Sequence, residues 1–225
     1  MRPISKGNNN KKFKKYSDAR PDLTKRLGKY CSYCEMKMPT SIHIEHVLPK
    51  SLHNELRLEW DNFLLACPHC NSKKGSKDIQ LKDYLWPDKD NTFLAFEYSE
   101  AGRIVVNDEL QKGQKRCAQK TLDLVGLQNR PGTKDFKKTD LRWDDYQEAW
   151  NLAIISLEAL KEKDTILQRK QIVEYAHSNG HFSLWMTVFK NDSDMLKRFI
   201  KKFPGTCKKC FDKEGVPVPR KGGIV

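Results

Sequence analysis

The 225-residue sequence predicts an α+β fold, and three observations carry that expectation. Pairs of the form C-x-x-C at Cys31/Cys34 and Cys67/Cys70 bracket an insert that reads strand, long loop, strand, helix. Alternating apolar residues between about 93 and 106 read as a hairpin, and from about residue 135 apolar residues recur at helical spacing. Four segments are expected: a flexible basic arm over 1–16, a zinc-stapled core with the hairpin over 17–110, a helical region over 111–205, and a basic tail over 206–225.

MRPISKGNNNKKFKKY is rich in Asn and Lys and lacks periodicity, which predicts an extended arm that orders only on contact with something else. Pro21 suits a first helical turn, and Leu23, Leu27 and Tyr30 follow at helical spacing, so a short helix leads into the first cysteine pair. Each knuckle aims two sulfurs at one ion, and together Cys31, Cys34, Cys67 and Cys70 supply the four thiolates of a closed tetrahedral zinc site. Ile42 and Ile44 alternate with His43 and Glu45 in a strand that has ended by Pro49, which places Glu45 and His46 at its exit. Phe63 to Ala66 is the second strand. CPHCNSKKG then opens a short helix, with Asn71 directly after the last cysteine and Gly75 as its stop.

Phe93 to Tyr98 and Ile104 to Val106 flank a turn at Ser99 to Gly102, a hairpin suited to extending the same sheet. QKRCAQKTLDLVGLQN sets Cys117, Leu122, Leu124 and Leu127 near one face of a helix closed around Gly126 to Pro131. The helical half follows: Leu141, Tyr146, Trp150, Ile154, Leu157 and Leu160 form one stripe, and TILQRKQIVEYA, FSLWMTVFK and DMLKRFIKK add three more helices.

The net charge of +13 is concentrated at the ends. Residues 1–30 hold 10 Lys/Arg against 2 Asp/Glu and residues 196–225 hold 9 against 2, whereas 31–78 balances 6 against 6. Two basic ends beside a neutral centre fit a frame for a phosphate backbone. No apolar run approaches the roughly 20 residues of a membrane span and the basic N-terminus lacks the apolar stretch of a signal peptide, so a cytoplasmic protein is expected. In that reducing setting the seven cysteines favour metal over disulfides. Cys117 reads as a buried apolar residue. Cys207 and Cys210 form a third pair with no fourth-ligand partner nearby; His177 and His181 have the right chemistry but stand across an intervening helix, so this pair reads as a reduced dithiol.

Glu45, His46, Asn62 and Asn71 are the candidate catalytic residues. Phosphodiester hydrolysis needs a base for water, a cation to offset charge on the leaving oxygen, and ligands that hold the cation. Glu45 and Asn71 are hard oxygen donors suited to Mg²⁺ or Mn²⁺. His46, with a reference pKa of about 6.5, takes a proton near neutrality. Asn62 is expected to brace the His46 loop. His43 reads as a solvent-facing strand residue, His69 as surplus to a filled zinc shell, and His53 as loop surface. Lys73, Lys74 and Lys77, with Lys11, Lys12, Lys14 and Lys15 of the arm, are candidate phosphate contacts.

In order, EHVLP, DN and CPHCNSKKG resemble the HNH nuclease motif, with Glu45 where that family more often has Asp. The resemblance implies a metal-dependent endonuclease on a ββα-metal scaffold. MRPISKG, IEHVLPKS, FPGT and CFD extend it across nearly the whole chain, which resembles the nuclease subunits of Septu and related retron-linked antiphage systems. That wider resemblance implies phage DNA as substrate and a PtuA-type ATPase as partner, with residues 1–7 docking on it. The alternatives are an effector that cleaves RNA such as tRNA, since the motif does not read the 2′-hydroxyl, and a zinc-stabilised binding module without activity.

Overall fold

The computed structural model describes residues 1–100 and 103–225. A 3-10 turn (Tyr16–Ala19) leads into α1 (Arg20–Leu27), with Pro21 in its first turn and Gly28 ending it. β1 (His43–His46) pairs antiparallel with β2 (Phe63–Ala66), setting Glu45 opposite Leu64 and His46 opposite Phe63. Every residue of β2 is buried, so the ladder is fixed on its apolar strand while β1 carries the polar side chains. α2 (Pro68–Lys74) follows at once: Pro68 needs no amide partner at its first position, and Gly75 at φ 57° closes the helix. This is the expected ββα unit.

α3 (Thr92–Ala95) precedes β3 (Phe96–Ser99), which pairs with β4 (Arg103–Val106). The strand expected from Phe93 therefore begins three residues later, because Asn91 caps a helical turn by accepting from the Phe93 amide at 3.3 Å. The hairpin forms its own two-stranded sheet instead of extending the first. Part of its expected turn, Ala101 and Gly102, lies outside the described residues.

The helical half comprises α4 (Lys112–Val125), α5 (Arg142–Glu162), α6 (Ile166–Asn179), α7 (Phe182–Val188) and α8 (Ser193–Lys202). α5 buries Arg142, Tyr146, Ala149, Ala153, Ser156 and Leu160, whereas Leu141 is 60% exposed. The buried face thus includes small residues that the apolar stripe overlooked, and these let α7 approach closely. Among the described residues no helix is long and apolar enough to cross a membrane.

The terminal segments depart most from expectation. Residues 1–6 are no flexible arm: Met1, Arg2, Ile4 and Lys6 are all buried. Ile4 bridges Thr206, and its amide donates to the Pro87 carbonyl at 2.7 Å. Arg2 donates to the carbonyls of Pro204 (2.6 Å) and Leu27 (2.9 Å) and to Thr206 Oγ1 (3.1 Å). Lys6 reaches the Asp61 and Phe63 carbonyls and pairs with Asp88 at 3.0 Å. Two apolar side chains and two fully partnered cations give this segment enough burial to order on its own chain, so residues 1–7 are not a free docking strand. The tail is packed as well: Val225 is buried and its carbonyl accepts from the Asn91 and Arg220 amides.

Replacing Ile4 with alanine tests this packing. A side chain only 1% exposed leaves a cavity when truncated, so urea unfolding should show a loss of about 2–5 kcal/mol; a free arm would show none.

Candidate active site

The knuckles meet through the strand pair. Cys31 follows α1, Cys67 caps α2, and the β1–β2 ladder between them brings the four sulfurs within 4.8 Å of one another. Cys34 and Cys67 Sγ are 3.7 Å apart, close to the ~3.8 Å between ligands of a tetrahedral ion with bonds of about 2.3 Å. The Cys70 amide donates to Cys67 Sγ at 3.3 Å, as a knuckle requires. Arg142 adds a donor from the helical half, reaching Cys70 Sγ at 3.2 Å while Asp140 holds its other face at 2.6 Å. The donor set fits structural zinc, and the Cys70 amide and the Arg142 guanidinium offset its net negative charge. His69 stays outside this cluster, near Asp140 at 3.9 Å, and His53 pairs with Glu55 at 3.5 Å. Among the described residues no third His, Cys, Asp or Glu joins Cys207 and Cys210. His181 instead bonds Asp145 at 2.6 Å, and the His177 carbonyl accepts from Tyr30.

Beside the cluster lies a cavity of about 430 Å³ lined by Glu45 and His46 from β1 and Asn71 from α2, together with His43, Tyr16 and Lys50. The structure thus brings Glu45, His46 and Asn71 to one place. His46 Nε2 is 3.0 Å from the Arg57 carbonyl; a carbonyl only accepts, so the proton sits on Nε2 and Nδ1 is left as a base. Burial lowers the His46 pKa, the Arg57 carbonyl opposing it, which favours the neutral ring. Asn62 is buried behind this loop: its Oδ1 accepts from the Leu48 amide at 2.7 Å, and its Nδ2 donates to the Leu48 and Leu56 carbonyls.

Asn71 Nδ2 donates to His43 Nδ1 at 3.3 Å, which leaves Asn71 Oδ1 as an unused oxygen donor. His43 is exposed, as expected of a solvent-facing strand residue, and its Nδ1 also orients Asn71. Glu45 is 3% exposed, and burial pushes its carboxyl up to about 7 against the pull of Lys74. Lys74 Nζ lies 2.7 Å from Glu45 Oε1 and donates to the His46 carbonyl at 2.7 Å. The Glu45 contact lacks hydrogen-bond alignment, so this buried oxygen keeps unused lone pairs. A carboxylate, an amide oxygen and imidazoles around one cavity fit a hard divalent cation such as Mg²⁺ or Mn²⁺.

Lys74 is a correction. Expected as a phosphate contact, it is 1% exposed and points inward, because three residues after Asn71 the helix has turned almost fully toward β1. Lys73 stands 3.6 Å from Asp135, Lys11 pairs with Asp22 at 2.9 Å, and Lys12, Lys14, Lys15 and Lys77 are exposed. Sequence reasoning missed Tyr16, Arg20 and Lys50 as cavity-lining residues; the first two lie far upstream of the motif and only the tertiary fold brings them in.

Residues 31–77 match the model of the family described as HNH endonuclease. Over 179 residues the chain is 33% identical to Septu protein PtuB from Bacillus thuringiensis, a match covering 74% of this chain and 66% of that protein's length.

Two substitutions separate the staple from the cavity. Cys67→Ser should strip bound zinc, measured by atomic absorption, and collapse the thermal transition, since structural zinc binding is also folding energy of about 10–16 kcal/mol. Lys74→Met should keep the zinc yet cost about 3–5 kcal/mol in urea unfolding, because it leaves the buried Glu45 carboxylate unpaired.

Proposed function

Because the chain belongs to the HNH endonuclease family through residues 31–77, we propose that it is a metal-dependent endonuclease that hydrolyses DNA in the cytoplasm as the nuclease subunit of an antiphage complex. One observation carries the chemistry: the Nε2 proton of His46 is committed to the Arg57 carbonyl, which leaves Nδ1 basic beside Glu45 and Asn71. His46 takes a proton from water, the resulting hydroxide attacks phosphorus, and the bond from phosphorus to the 3′ oxygen breaks, giving a 5′-phosphate and a 3′ oxygen that takes its proton from solvent. Glu45 and the Asn71 amide oxygen would hold Mg²⁺ or Mn²⁺, which when bound would offset negative charge at the leaving 3′ oxygen. Asn62 keeps the His46 loop in register through its bonds to Leu48 and Leu56, and His43 orients Asn71. Zinc at Cys31, Cys34, Cys67 and Cys70 holds β1 to α2. The likeness to Septu protein PtuB supports the antiphage role and, by extension, a PtuA-type ATPase as partner. Residues 1–7 are spent on the chain's own core, so such a partner would dock elsewhere.

Plasmid DNA and tRNA are incubated with the purified protein in Mg²⁺, Mn²⁺ or EDTA. The expected result is metal-dependent cleavage of plasmid to 5′-phosphate ends, with tRNA intact. His46→Ala should lower the cleavage rate by about 10²–10⁴-fold or more at unchanged zinc content and melting temperature. Cleavage of tRNA alone would reassign the substrate, and cleavage in EDTA would overturn the metal-dependent mechanism.

A further inference from the structure

One wall of the His46 cavity, built from the start of α1 and the loop after β1, carries charge that no ion pair among the described residues neutralises. Lys74 is matched by Glu45, but Arg20 and Lys50 line the same cavity and, among the described residues, make no ion pair. Both are exposed. Lys50 Nζ stands 4.0 Å from the centroid of the Tyr16 ring, and that ring meets His46 edge-on at 5.2 Å. Tyr16 thus has an ammonium over one face and a perpendicular contact with the imidazole. It is a pillar that spaces Lys50 from His46 and holds the ammonium at the cavity mouth.

Two unpaired cations beside a candidate hydrolytic histidine attract a ligand with regularly spaced negative charge, and a phosphodiester chain has one per nucleotide. We propose that Arg20 and Lys50, the latter held off His46 by Tyr16, form a subsite for the nucleic-acid backbone that grips the strand next to the bond His46 attacks. This rests on the hydrolase reading above and adds to it the residues that seat the substrate. Arg20 brings a planar fork suited to two phosphate oxygens, whereas Lys50 acts as a point charge fixed by the ring.

The test measures binding and cleavage separately. Fluorescence anisotropy in Ca²⁺, which leaves the structural zinc in place, follows a labelled duplex DNA and a single-stranded RNA of matching sequence across a salt series, for wild type, Arg20→Ala/Lys50→Ala, Tyr16→Ala and Tyr16→Phe. Steady-state cleavage in Mn²⁺ gives kcat and KM. Loss of two phosphate contacts should flatten the slope of log K against log salt by about 1.8 on duplex DNA, or about 1.4 on the single strand. Whichever nucleic acid shows the change is the one the subsite seats. The double variant should raise KM more than it lowers kcat. Tyr16→Phe should match wild type, because the ring and not the hydroxyl does the spacing, while Tyr16→Ala should weaken binding and also lower kcat through His46. As a control, Lys161→Ala/Lys170→Ala, exposed on the helical half, should leave the slope unchanged. If wild type cleaves but the double variant matches it in slope, affinity and KM, the subsite is overturned. If the slopes change as expected but wild type cleaves nothing, the subsite stands and the hydrolase reading falls.

Discussion

Everything in this molecule is referred to four sulfur atoms confined within 4.8 Å of one another. The cysteines come from two stretches more than 30 residues apart, and their convergence leaves the intervening chain little freedom. It must leave the first knuckle, return as β1 and β2, and enter the second knuckle as α2. Two four-residue strands would be marginal alone. Anchored at both ends, they hold Glu45 and His46 against a helix whose first turn is itself part of the cluster. Arg142 extends the constraint outward: it bonds Cys70 Sγ and also the carbonyls of Val125 and Gly126, so the end of α4 and the start of α5 are referenced to the same sulfurs.

The first knuckle is braced from its other side. Glu35, just past Cys34, adopts φ 65°, a left-handed conformation uncommon outside glycine. Its buried carboxylate accepts from the Ser183 amide and hydroxyl and meets the Met1 ammonium at 3.2 Å. Burial alone would raise this carboxyl; the ammonium and Ser183 outweigh it and hold the pKa below the usual range. The strained residue is thus tied to α7 and to the N-terminal segment at once.

The local parts of this design were legible in the sequence and the long-range parts were not. Cysteine spacing, the Ile42–Glu45 alternation and the Pro68/Gly75 punctuation each act within a few residues, and the ββα unit follows from them. Lys74 was misread because KKG after a polar helix looks solvated; only the position of Glu45 across the ladder gives its ammonium a buried partner. The N-terminal segment was misread for the same reason. MRPISKG offers no periodicity, and what orders it are the Leu27, Pro204 and Thr206 groups that meet Arg2. α5 shows a milder case, since Ala149, Ala153 and Ser156 carry little apolar signal yet face the core.

The partnership of Arg2 with Pro204, 202 residues away, has a consequence for the order of folding. Residues 1–6 have no partners close by in sequence, so until residues 204–206 come to them Met1 and Ile4 stay exposed. Contacts of such separation cost much loop-closure entropy and form late. A chain in which the four-sulfur cluster and the cavity motif have already formed still lacks the bonds by which Arg2 ties the end of the first helix to Pro204 and Thr206, so the site can assemble before the segment that braces it has settled.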